Sequence, residues 1–181
     1  MIQINPREVA AEAMVQILAE GAYNNTALRR LLRQNGAMSQ QDRAFVTEIV
    51  NGTLRNIYYV DYVIDQISNT KLNKIKPWLL AVLRTAVYQM LFMDVPDNAA
   101  CNEAVKLAQR KGFYSLKPFV NGVLRTIARE WKNLKLPSRE ENPVRYLSVR
   151  YSMPETLVNR WLEDYGEEKT EKILTDFLTE K

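Results

Sequence analysis

Cations dominate the residues of this chain whose types and spacing suggest chemistry. Arg29 and Arg33 stand four apart with Arg30 beside them, so a helix through this stretch sets all three on its outer side. A guanidinium matches the two-oxygen fork of a phosphate, and a short helix gives such residues little structural work. A solvated basic helix fits the same pattern. Lys71, Lys74 and Lys76, in the polar stretch SNTKLNKIK, form a second group. Arg110, Lys111 and Lys117, around Gly112, form a third. These nine are the candidate contacts to a nucleic acid. Tyr58, Tyr59 and Tyr62 have rings that could stack on unpaired bases, although tyrosines on a helix also serve as half-buried packing.

The chemistry that is missing narrows the function. The chain has no histidine, hence no imidazole base and no histidine-bound metal. A single cysteine, Cys101, forbids an internal disulfide and any multi-thiolate site. It has no base or cofactor loop near it in sequence to activate a thiolate, so it reads as a packing residue. The six glycines are never closer than ten positions, which leaves no glycine-rich loop to cradle a phosphate or dinucleotide. No catalytic, cofactor-binding or metal-binding residue is assigned. Asp42, Arg43, Glu48 and Arg55 read as ion pairs tying helices together; Glu48 and Arg55 lie two turns apart on one face. Asn102, Glu103, Asn121 and Arg125 read the same way. Glu103 sits in a helix's first turn, and Arg125 is expected to answer it from the next helix.

Those residues need helices to hold them, and the apolar spacing supplies helices throughout. Asn5, Pro6 and Glu8 form a start signal ahead of Val9, Ala13, Met14, Ile17 and Leu18. Asn24 and Asn25 open the short arginine-bearing helix, and Gly36 closes it. Ser39 and Asp42 cap the next, where Gly52 in mid-helix implies that another helix packs close against the backbone. A helix with Ile57, Val60, Val63, Ile64 and Ile67 inward follows. Pro77 begins the most apolar stretch, whose hydrophobic residues cover more than half its circumference and place it at the centre of a bundle. Two further helices run on either side of Gly112. After Trp131 the segment KNLKLPSREENP reads as a linker. Helical patterning then returns, with Ser152, Pro154 and Glu155 as a capping signal, Trp161 inward and Gly166 as a break. The last helix reaches Lys181 with its apolar face uncovered, which looks like a chain cut short. No stretch alternates with a strand's period.

Composition agrees with a folded helical domain. Hydrophobic residues make up 46% and charged residues 25%, far from a disordered balance. No run is long and apolar enough to span a bilayer, and the first residues lack a signal peptide's pattern, so a cytoplasmic location is expected. The net charge of +4 is unevenly spread. Residues 1–131 hold 16 Lys and Arg against 11 Asp and Glu, whereas residues 132–181 hold 9 against 10. Counterion release on phosphate contact is the reason such an excess can favour a polyanion.

Four stretches add a resemblance: DRAFVTEIVNGTLR (42–55), LLAVLRTAVYQMLFMDVP (79–96), NEAVKLAQ (102–109) and FVNGVLR (119–125). Together they resemble the NusB family of RNA-binding helical domains over most of residues 5–131. The resemblance implies an all-α fold, a bundle of about seven helices in two sub-bundles, with RNA or ribosomal partners. It divides the chain into a NusB-like RNA-binding domain (1–131) and a linker with a small helical extension (132–181). The extension, PVRYLSVRYSMPETLVNRWLEDYGEEKTEKIL, resembles the connector of the ribosomal RNA small subunit methyltransferase B family. That likeness implies an RNA-positioning region for a 16S rRNA cytosine-C5 methyltransferase, in intramolecular contact with a C-terminal catalytic domain. The S-adenosylmethionine and the cysteine nucleophile are expected in that domain, with no cofactor in this segment, no metal and no membrane partner. The alternative is a stand-alone antitermination factor of the NusB type, binding RNA and a ribosomal protein.

Overall fold

The computed structural model describes residues 4–179, and every regular element among them is helical. Seven α-helices come first: α1 (Pro6–Met14), α2 (Asn24–Gln34), α3 (Gln40–Arg55), α4 (Ile57–Ile67), α5 (Pro77–Phe92), α6 (Asp97–Arg110) and α7 (Lys117–Glu130). Then come α8 (Pro143–Tyr151) and α9 (Glu155–Thr179). This is the all-α architecture expected, with a helical extension behind a seven-helix bundle.

Local chemistry explains most boundaries. Asn5 Oδ1 accepts from the backbone N–H groups of Arg7 (2.9 Å) and Glu8 (3.2 Å), and Pro6 holds the first helical position. Ser39 Oγ likewise accepts from Asp42 N–H at 3.1 Å to start α3. One departure is at the end of α1, which widens into a π-helical turn over Val15–Ala19. Apolar spacing gave no sign of it.

Helix α5 is buried nearly all round and touches α1, α3, α4, α6 and α7, so it stands at the centre of the bundle. Its Tyr88 crosses α3 at Gly52, where an added Cβ would lie 1.9 Å from the ring's Cζ. The mid-helix glycine thus marks a close approach of helices, as its sequence position implied. Arg84 of α5 clasps Asp61 of α4 through two bonds of 2.7 and 2.9 Å.

Two separate apolar cores exist among the described residues. The larger runs from Val9 to Ile127; the smaller joins Leu147, Tyr151, Val158 and Leu174. The two parts meet where α8 packs on α4, and hydrogen bonds join them there. Tyr58 N–H donates to Ser152 Oγ at 3.1 Å, and Tyr62 O–H donates to the Lys135 carbonyl at 2.6 Å. Ser152 therefore does not cap the following helix, as its spacing suggested. It ends α8 in the left-handed region (φ 54°) and serves the seam. Gly166 (φ 81°, ψ 171°) breaks α9, and the chain beyond it brings Phe177 to stack on Trp161 at 5.9 Å. No helix among the described residues is long and apolar enough to cross a membrane.

Candidate nucleic-acid interface

Helix α2 turns Ala27, Leu28 and Leu31 into the core, which forces Arg29, Arg30 and Arg33 outward. Arg30 donates to Gln16 Oε1 at 2.6 Å. Arg29 and Arg33 make no ion pair or hydrogen bond among the described residues and face solvent. Tyr23, at the start of the same helix, is 84% exposed. Two unpaired guanidinium groups on α2 are chemically suited to phosphate, and the exposed Tyr23 ring at its start to a base.

The other cations differ. Arg110 bonds Glu8 at 2.6 Å, and Lys111 reaches Glu12 at 3.4 Å while lying 5.1 Å above the Trp78 ring. Both tie α6 back to α1, which is a structural use of their charge. Lys117 donates to Gln109 Oε1 at 3.3 Å and sits 4.4 Å above the Tyr114 ring. Lys71 shares a depression with Asp61 and Asp65. Lys74 and Lys76 flank the buried Ile75 and point to solvent. The nine cations thus stand on separate elements, and unpaired charge remains at Arg29 and Arg33 on α2 and at Lys74 and Lys76 on the connector.

Several polar residues found partners other than those expected. Arg125 does not answer Glu103. Its guanidinium donates to Asn98, to Asn102 at 3.2 Å and to Asn121 at 3.3 Å, while Glu103 pairs with Lys106 at 3.4 Å. The physical reason is register: Asn98 and Asn102 are one turn apart on α6 and face α7 directly. Glu48 makes no ion pair among the described residues; it accepts from the Tyr88 hydroxyl, and Arg43 donates to the Leu32 carbonyl at 2.9 Å. Burial and the Glu48 hydrogen bond push the Tyr88 phenol up to about 12. Cys101 is fully buried, and burial raises its pKa, which opposes a thiolate role.

Comparison with known proteins then places this geometry. The model of the NusB family matches residues 4–129. The chain belongs to the NusB family. Among NusB-family relatives, the probable ribosomal RNA small subunit methyltransferase B of Bacillus subtilis is 40% identical over 176 residues, covering 96% of this chain and 38% of that protein. The transcription antitermination protein NusB of Bacillus licheniformis is 34% identical over 123 residues, covering 67% of this chain and 92% of that one. The chain therefore spans about two fifths of the methyltransferase relative. Crystal structures share the fold. PH0851 aligns with a TM-score of 0.69 at 21% identity, over 96% of this chain and 39% of that one. NusB, in its complex with NusE and double-stranded RNA, aligns with a TM-score of 0.64 at 17% identity, over 68% of this chain and 93% of that one.

A further group escaped sequence reading. Phe92, Trp131, Arg150 and Tyr151 line one cavity of about 590 Å³ beside the α4–α8 seam. They lie on three stretches far apart in sequence, Arg150 and Tyr151 being neighbours, so no local spacing could have joined them.

Proposed function

We propose that this chain is the RNA-engaging region of an S-adenosylmethionine-dependent 16S rRNA cytosine-C5 methyltransferase acting in the cytoplasm. Its part is to hold ribosomal RNA while a domain joined to it, and in contact with it, performs the transfer. The extension carries this reading. Likeness to methyltransferase B runs through 96% of the chain, whereas likeness to the antitermination protein covers 67%. The glycines among the described residues do not form a cofactor loop: Gly52 is filled against by Tyr88, and Gly21, Gly112 and Gly166 are isolated single positions at helix ends and breaks. We assign that cofactor to the length of the relatives that this chain does not span. Arg29, Arg30 and Arg33 are the primary RNA contacts in this reading, with Lys74 and Lys76 secondary.

The test is retention of a small-subunit rRNA transcript by the purified chain, followed by electrophoretic mobility across a salt series. Affinity that falls linearly with log salt, and that exceeds affinity for an unrelated transcript of equal length, is expected. Absence of retention at low salt overturns the proposal.

A further inference from the structure

The cavity beside the α4–α8 seam combines features that neither core needs. Phe92 gives one ring face to Tyr88 (5.3 Å, 20° between planes) yet remains 46% exposed. Trp131 and Tyr59 add rings to the same wall. Two cations stand at its edge, each above an aromatic ring: Lys132 lies 5.6 Å from the Trp131 centroid and Arg150 lies 5.1 Å from that of Tyr151. Neither has a carboxylate partner within ion-pair distance among the described residues, and no Asp or Glu lines this cavity. Two polar groups remain available inside. Asn56 donates its amide to the Gly52 carbonyl, which leaves its Oδ1 unbonded, and the Tyr59 hydroxyl makes no hydrogen bond among the described residues. Burial raises the Tyr59 pKa while Arg150 lowers it, so the phenol stays a neutral donor.

Flat aromatic surfaces, a lone acceptor, a lone donor and two cations outside ion-pair distance of any carboxylate among the described residues match one ligand chemistry, although Glu171, which accepts from the Tyr151 hydroxyl at 3.2 Å, feels the charge of Arg150. A nucleobase supplies a π-face and a hydrogen-bonding edge, and its phosphate supplies the anion. We propose that this cleft receives one unpaired nucleotide of single-stranded RNA, with the base against the Phe92 and Trp131 rings and the phosphate at Arg150 and Lys132. A duplex cannot present a base in this way, because its bases are stacked within the helix. The site is formed jointly by the NusB-family bundle (Tyr59, Phe92) and the extension (Arg150, Tyr151), so it gives the extension a direct part in gripping RNA. This inference rests on the RNA-binding reading above and names a second contact region for it, apart from α2.

Fluorescence anisotropy with the full chain tests it, using ten-nucleotide single strands of uridine and of adenosine and a duplex of the same length. The K132E/R150E double variant should lose roughly tenfold in single-strand affinity and much less for the duplex. Phe92→Ala should cost a similar, roughly tenfold loss with an unchanged salt slope, because a stacked ring carries no charge. The unmodified protein provides a second measurement: photocrosslinks from a 4-thiouridine strand should map to Tyr59, Phe92, Trp131 or Tyr151. Wild-type single-strand affinity in both variants, or crosslinks confined to α2, overturns the cleft while the RNA-binding reading stands. Failure of the unmodified chain to bind any of these RNAs overturns both.

Discussion

At Gly52 helices α3 and α5 approach closely. An alanine there would drive its methyl group into the Tyr88 ring, and that ring is pinned by Phe92 stacking and by its bond to Glu48. Overpacking of this kind should lower unfolding free energy by roughly 2 kcal/mol in a denaturant titration. In a Tyr88→Ala background the ring is gone, so Gly52→Ala should become neutral or slightly stabilising through helix propensity. Tyr88 also predicts a pH response. Its folded pKa is raised from 10.0 to about 12, so the neutral form favours folding. That contribution is complete below pH 10 and is lost as the pH rises toward 12. Tyr88→Phe should flatten this part of the stability profile, read from urea midpoints between pH 9 and 12. At this scale the sequence was legible for Gly52 and Cys101, whose surroundings follow from residue type. It was not legible for Arg125, because the choice between Glu103 and three asparagines depends on the rotation of α6 against α7.

Helix starts were the most readable elements. Asn5 and Ser39 cap as their spacing implied because a cap is a local bond, spanning two or three residues. The π-helical turn at Val15–Ala19 was hidden, since one extra residue in a turn barely disturbs an apolar stripe. Gly166 shows how a single residue shapes a whole element. At φ 81° and ψ 171° it occupies a region that side-chain-bearing residues avoid, and it lets Phe177 return to Trp161. Gly166→Ala should destabilise the extension by about 1–3 kcal/mol. Hydrogen exchange is the suitable measurement, with faster exchange expected over residues 155–179 and unchanged protection in α5, because the two apolar cores are separate.

On the scale of the whole molecule, charge that is paired and charge that is free should behave differently, and this separates a structural cation from an RNA contact. Net charge located the basic excess in residues 1–131 without showing which groups are free. The fold supplies that distinction: Arg110 and Lys111 face Glu8 and Glu12 across α6 and α1, whereas Arg29 and Arg33 have no such partner among the described residues. Each phosphate contact that is lost should reduce the slope of log affinity against log salt by roughly 0.7–0.9. The R29E/R30E/R33E variant should therefore weaken rRNA binding and flatten its slope by about two, with the melting temperature nearly unchanged because all three side chains lie outside the core. Arg110→Gln should do the reverse, lowering stability by up to about 1 kcal/mol, the ordinary range for an exposed pair, while leaving the salt slope near wild type. Equal slopes in both variants would mean that the α2 arginines do not touch phosphate, and RNA contact would then have to be sought on other faces of the bundle.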